Sequence, residues 1–414
     1  MTELSIGAPR VSHDEGYTEV SVQVRAPLSL PETLWFRVSG HRHVSPEAAT
    51  GAAVLALVMP AMRAGIPIRT SSAMGSALRE SLVNEVMPAL RQVNSDLSVV
   101  ALDATDALFT PLPERGVITP LSGGVDSFYV LWQEGLLPTS PTSGSRVTDF
   151  LFANTGNHRG SFPLFHSRVR RAQVRAQQLG LPLTVVDSNV EDFYPPSLEF
   201  IRSSTLRNAA AAYLLSDSMS SLLYASTYAR TDVVAMGRKE TSVADAVILP
   251  ALSFARFSFE SGGADAHRIE KLEVIAPDPV VQAGLDVCVG MGFQGNCSTC
   301  WKCRRTLAGL ELFGRIEEFG DVFDLDKWRK DRRYYWAHMR WETSPLYRET
   351  LLEATKRGYQ VPQFSLRALL EHVVDVVTGG RVRVLMGRII AGLKSRRGRE
   401  WQSSDRRDVF SGLN

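Results

Sequence analysis

The sequence predicts an α/β protein built around a doubly wound parallel sheet. Three observations predict it. From Gly116 to Ala225 short strand-like runs alternate with helical ones, the rhythm of parallel strands joined by crossover helices. Of 414 residues, 44% are hydrophobic and 22% charged, which is enough apolar material for a sizeable core and too much for a disordered chain. No run of 18 apolar residues occurs. The longest candidate, Ala52 to Met62, is short and contains Pro60, so no spanning helix is expected.

Each element has its own signal. Thr18 to Val24 (TEVSVQV) alternates as a strand, and Glu32 to Val38 (ETLWFRV) reads as a second. Ser45 and Pro46 supply an N-cap and a first-turn proline to an apolar helix over Ala48 to Met62, which Gly65 and Pro67 end. A helix is expected from about Met74 to Val93, then a strand over Leu97 to Ala104. Together these make an N-terminal α/β region, residues 1–112, with Thr110 to Glu114 (TPLPE) as linker. The next unit, residues 113–286, begins with a strand at Gly116 to Pro120 and a helix from Ser127 to Trp132. A Pro/Ser/Gly loop (Pro138 to Ser145), a strand (Asp149 to Ala153), a basic helix (His166 to Leu179) and a strand (Leu183 to Asp187) follow. An alanine-rich helix (Leu206 to Leu215) leads to the strand Leu222 to Ala225, and LEVIA, Leu272 to Ala276, reads as another strand. A cysteine segment (287–312) and a largely helical part (313–414) complete the chain, which shows no internal repeat.

The segment richest in chemistry is Leu121-Ser122-Gly123-Gly124-Val125-Asp126-Ser127, which leaves a strand and opens a helix. Free N–H groups at the positive end of a helix dipole are where a pyrophosphate rests. Adjacent glycines let the backbone approach the phosphates and form a nest of donors. Ser122 and Ser127 add hydroxyls, and Asp126 suits Mg²⁺ or orientation of the loop. SGGVDS resembles the SGGxDS loop of the N-type ATP pyrophosphatases, the PP-loop superfamily, over roughly Gly116 to Thr306. That resemblance implies a five-stranded parallel sheet of the adenine-nucleotide α-hydrolase type. It also implies ATP and Mg²⁺ as ligands, transfer of AMP to a substrate oxygen with release of pyrophosphate, and displacement of AMP by a nucleophile. By the same resemblance the nucleotide contacts are Leu121 to Ser127 and Ala153, the first residue of ANTGNH. Leu206-Arg207-Asn208 opens its helix much as an Arg-Asn pair does in 7-cyano-7-deazaguanine synthases.

Charge dispersal at an α-phosphate calls for nearby cations. Arg207, Lys239, Arg268 and Lys271 are the candidates; with Asp126, Lys239, Lys271 and Arg207 form the expected catalytic set. His158 is a candidate for the rim. Two near-motifs are set aside. Gly290 to Gly295 spells GxGxxG with no helix pattern after it, and in GRIIAGLKS (Gly387 to Ser395) Leu393 breaks the required Gly-Lys pair.

All four cysteines, Cys288, Cys297, Cys300 and Cys303, fall in one C-x8-C-x2-C-x2-C run. Four thiolates enclose a tetrahedral structural Zn²⁺ with no open position for water. An iron–sulfur cluster suits four thiolates as well. The spacing resembles the zinc site of 7-cyano-7-deazaguanine synthases, which also carry an arginine just after the last cysteine, here Arg304. The chain departs from them in its longer N-terminal region and helical tail, and Arg238 to Ser242 stands where their purine-recognition segment would be. Trp301 is expected to pack.

Once the metal is ligated no cysteine remains for a persulfide or for glutamine hydrolysis. The expected reaction is therefore C–N bond formation: ATP activates a carboxylate or amide of a small molecule for attack by ammonia or an amine. The alternatives are a tRNA- or nucleobase-modifying enzyme, with sulfur or ammonia from a donor protein, and a non-catalytic, zinc-stapled nucleotide-binding protein. Net charge is only +2, yet nine basic and two acidic residues lie between Arg381 and Arg407, a patch for RNA, an anionic substrate or a partner. Only Trp401 is aromatic there, which weighs against base stacking. The N-terminus has no apolar signal-peptide core, and four cysteines make no disulfide scaffold. The expected setting is a cytoplasmic homo-oligomer with no membrane contact.

Overall fold

The computed structural model describes residues 2–107, 116–158, 161–235, 240–254, 257–290, 295–342, 344–362, 364–378 and 409–410. Alternation of apolar residues builds an antiparallel meander first: β1 (Leu4–Ile6), β2 (Arg10–Asp14), β3 (Tyr17–Arg25) and β4 (Thr33–Ser39). Helix α1 (Pro46–Ala64) follows, capped by the Ser45 side chain, which accepts from the Ala48 N–H, and closed by Gly65 in the left-handed region. Then come β5 (Ile68–Thr70), β6 (Met74–Gly75), α2 (Ser76–Ser81), α3 (Met87–Val93), β7 (Leu102–Asp103) and β8 (Asp106–Ala107).

Two expectations for this region change. The helix expected over Met74 to Val93 starts at Ser76 and passes through a π-helical turn, Leu82–Val86. Pro88 stands just beyond that turn and lacks the N–H that an α-helix would direct at residue 84, so the ladder loosens there. The strand expected over Leu97 to Ala104 shrinks to Leu102–Asp103. The expected linker Thr110 to Glu114 lies outside the described residues.

The second half supplies β9 (Gly116–Pro120), α4 (Val125–Gln133), β10 (Val147–Asn154), α5 (Phe162–Leu179), β11 (Leu183–Ser188), α6 (Ser204–Tyr213) and β12 (Met219–Ala225). Next are α7 (Asp245–Ala251), β13 (Ser258–Gly262), α8 (Arg268–Ile275) and α9 (Pro279–Gly284). Four more helices follow: α10 (Trp301–Leu312), α11 (Leu325–Met339), α12 (Pro345–Lys356) and α13 (Leu366–Thr378). LEVIA, expected as a strand, is the body of α8. His267 and Glu270 form a capping box, and Ile269, Leu272 and Ile275 recur at helical spacing on its buried side.

The main sheet is mixed, with eleven strands. Its order is β13-β12-β9-β10-β11-β4-β3-β1-β5-β7, with β2 beside β3. The block from β13 to β11 is parallel throughout. It does not end at β11, because β4 pairs there antiparallel, with Val38 opposite Val186. The N-terminal meander therefore continues the same sheet.

Both faces of the parallel block are covered. Ile118, Leu151 and Leu222 join one core, with α1 and the alanines of α6, while Phe150 and Leu223 join another, with α4, α8 and α10. Neighbouring residues on a strand point to opposite faces, and here both are dry, as parallel sheets require. Helix α1 is long and apolar enough to cross a membrane, but it lies inside this core. Ala209 to Ala212 let α1 approach α6 closely, and a Cβ on Gly51 would overlap the Tyr213 ring.

Candidate functional site

Along the parallel block β9 lies between β10 and β12. The chain winds from β9 to β10 and β11 on one side, then returns to β12 and β13 on the other. Ligands on open α/β sheets sit beyond the carboxyl ends of the strands at such a reversal. The residues just after β9 and β12 therefore frame the candidate site.

After β9, the loop from Leu121 is held from several sides. The buried Leu121 N–H donates to the Leu151 carbonyl at 2.9 Å, and the Ser127 hydroxyl donates to the Pro120 carbonyl at 2.8 Å. Ser127 thus ties helix to strand. Ser122 is exposed and accepts from the Gly124 N–H at 3.2 Å. Gly123 has φ +74°, a left-handed conformation open to glycine without cost. Its carbonyl accepts from the Asp286 N–H at 2.7 Å. Gly124 is the N-cap of α4 and carries no side-chain cap, so the helix presents its first-turn N–H groups unblocked. Buried Val125 begins that helix.

Helix α5 braces the loop from behind. Arg168, Arg171 and Arg175 lie three and four residues apart on one face. Arg168 donates to the Cys288 carbonyl at 2.8 Å, Arg171 pairs with Asp286 at 3.0 Å, and Arg175 donates to the Gly284 carbonyl at 2.9 Å. The Arg175 guanidinium lies against Gly123. Segment 284–288 therefore links the loop to the cysteines that follow it.

Asp126 faces the residues after β12 and the start of α8. Its carboxylate pairs with Arg268, lies 3.9 Å from Lys271 Nζ and accepts from the Thr227 hydroxyl at 3.5 Å. Lys271 is 0% exposed and donates to the Ser226 carbonyl at 2.6 Å. Burial lowers its pKa, opposed by the Asp126 charge. Two cations thus converge on one carboxylate beside the open helix end, an arrangement suited to anionic ligands.

The other expected residues fall in different places. Arg207 is buried and clamps structure: it donates to the Thr155 carbonyl at 3.1 Å and to the Leu198 carbonyl at 3.0 Å. Its guanidinium stacks 3.6 Å from the Tyr194 ring centroid. Ala153, near the end of β10, is half-buried opposite Val186 of β11. His158 is buried, bonded to Asn154 at 3.0 Å, and burial pushes its pKa well down, so it is a neutral core histidine. Trp301 is partly exposed, with Arg305 5.1 Å from its ring centroid. Lys239 and Arg238 lie outside the described residues, as do Met291 to Gln294 and the basic run from Arg381 to Arg407. No helix follows Gly295 until Trp301, so GxGxxG is not a dinucleotide turn.

Asp245 was not expected here. It is 1% exposed, and one oxygen accepts from the Thr205 hydroxyl at 2.6 Å while the other has no partner. Burial pushes its pKa up to about 8, against the Thr205 hydrogen bond and, more weakly, Lys271, with Asp126 adding to the rise. Nearby, Thr155 donates to Asn208 at 2.8 Å and Asn208 to the Tyr224 hydroxyl at 3.0 Å. An acid at the first position of a helix is ordinary N-terminal chemistry, so DAVILP carries no distinguishing signal. The α5 arginines had one: their spacing in a helix already noted as basic.

The four thiols come together as expected, with every sulfur within 4.8 Å of the others. A tetrahedral site with Zn–S bonds of about 2.3 Å has S···S edges of about 3.8 Å, so the cluster could hold a metal such as zinc. Backbone N–H groups of Gly290 and Cys300 point at sulfurs at 3.2 Å, as they do around thiolates. Cys300 also caps α10 by accepting from the Cys303 N–H.

No protein-family model, curated protein or solved structure matches the chain.

Proposed function

We propose that the chain is an ATP-dependent adenylating enzyme of the PP-loop type. ATP gives AMP and pyrophosphate, and a carboxylate or amide of a small molecule is activated for attack by ammonia or an amine. The observation that carries this reading is the loop Ser122 to Ser127 at the reversal of strand order, with an uncapped helix end and Asp126 held between Arg268 and Lys271. The uncapped N–H groups and the Ser122 hydroxyl would bind the phosphates. Lys271 and Arg268 would take up the charge that develops at the α-phosphate. Mg²⁺ would supply further neutralisation of the phosphates, with Asp126 the nearest carboxylate of the loop. Burial keeps Lys271 away from bulk water, which strengthens its effect on a bound anion.

Clustering of all four cysteines supports a structural metal, zinc in this proposal, and leaves no thiol for self-carried sulfur. That favours a nitrogen nucleophile. The test incubates the protein with ATP, Mg²⁺, ammonium and a pool of small carboxylates, with Ser122→Ala as control. AMP plus pyrophosphate, lost in the variant, is the expected result. ADP plus phosphate would refute the mechanism. A parallel arm with total tRNA in place of the pool tests RNA as substrate.

A further inference from the structure

Arg305, on α10 one turn beyond the Cys300 cap, is 5% exposed. It forms no hydrogen bond or ion pair with any described residue, and its Nε is buried without a partner. Apart from the Trp301 ring, 5.1 Å from its centre, the guanidinium has no partner among the described residues, and a buried Nε–H that gains no hydrogen bond is costly. Glu349, in the same recess, lies beyond ion-pairing distance of Arg305, and burial raises its pKa to about 7. Glu349 already accepts from the Arg268 N–H at 3.2 Å.

Arg305 lines a narrow recess with Val125, Arg268, Glu349 and Thr350. Its walls come from the first turn of α4, from α8, from α10 and from α12. The recess thus adjoins the loop at Val125, while its other walls belong to the C-terminal part of the chain. It holds two guanidinium groups, and only Arg268 has a carboxylate partner, Asp126.

We propose that Arg305 anchors a second anion site, separate from the phosphate loop, which takes an oxyanion group of carboxylate or phosphate type. A planar fork of donors suits either geometry. The site does not depend on ATP chemistry, and the proposal survives if adenylation fails.

Thermal melting of the full chain tests it, in pyrophosphate, in malonate and in chloride of matched ionic strength, each on wild type, Arg305→Met, Arg305→Lys and Ser122→Ala. Wild type and Ser122→Ala are expected to melt a few degrees higher in one of the two oxyanions than in chloride. A pyrophosphate response assigns a phosphate-type ligand and a malonate response a carboxylate. Arg305→Met should bind that anion at least about tenfold more weakly and, in chloride, melt above wild type, because it removes an unpaired buried charge. Arg305→Lys should keep part of the response. Three results would overturn the proposal: no oxyanion shift beyond chloride in wild type, a full shift in Arg305→Met, or an Arg305→Met protein that melts below wild type or fails to fold, which makes the arginine a structural element. Loss of the shift in Ser122→Ala alone would place the anion on the loop and equally refute a second site.

Discussion

A Cβ built on Gly123 would come within 2.7 Å of Arg175 Cζ, so glycine and arginine fit only as a pair. The conformation of Gly123 and the guanidinium behind it shape the loop from both sides.

Gly123→Ala therefore meets a left-handed backbone and a fixed cation together. Unfolding free energy should fall by roughly 1–3 kcal/mol, and ATP affinity by at least about tenfold. Urea denaturation and equilibrium ATP titration read the two effects. Unchanged affinity would mean that the loop does not bind the nucleotide.

Asp245 gives a pH dependence with a definite sign. Its folded pKa, about 8, lies above its ordinary value of 3.8. Between those values the folded protein holds a proton that the unfolded chain has released, so this group lowers stability as pH rises through that window. Below it and above it the contribution is flat. Asp245→Asn should remove the slope and leave the protein more stable than wild type at pH 8. Melting temperatures across pH 5 to 9 on both proteins decide it; parallel curves would place the carboxylate in a solvated setting.

Arg207→Met should act on stability rather than chemistry. It leaves the Thr155 and Leu198 carbonyls without their donor and removes the stack on Tyr194. A loss of about 2–4 kcal/mol is expected. AMP formation per folded molecule, measured well below the melting point, should stay within a few-fold of wild type. A loss of turnover with normal stability would return Arg207 to the catalytic set.

The cysteine cluster predicts about one metal atom per chain by elemental analysis. Cys300→Ser should abolish that metal and lower the melting temperature, since the residue also caps α10. A strong chelator should reproduce the loss in wild type. Zinc is expected; iron with sulfide would make the site a redox cluster.

Much of this was legible beforehand for a physical reason. The glycine loop and the cysteines are local: SGGVDS and C-x8-C-x2-C-x2-C put their groups together within a few residues. The strands of the parallel block declared themselves by apolar runs between turn residues. What lay hidden was assembled at long range. Asp245 meets Thr205 across forty positions, and nothing near either residue marks the pairing. Arg305 is exceptional only because it is buried and unpaired, which no pattern announces. LEVIA misled because a short apolar run fits a strand or a buried helix face equally well, and the His267–Glu270 box decided it. For Arg207 the sequence shows only the residue type, and its carbonyl contacts and the stack on Tyr194 are made at long range.

The antiparallel seam between β4 and β11 has a consequence during synthesis. Thr33–Ser39 leaves the ribosome roughly 150 residues before Leu183–Ser188 does. At about 5–20 residues per second the nascent meander waits on the order of ten seconds with one border unpaired. An open β border is a template for other chains. Protection of that border in the growing polypeptide, by a chaperone or by slow association at low concentration, should then govern how much chain matures. Arresting translation before residue 183 would expose the most association-prone stage of its life.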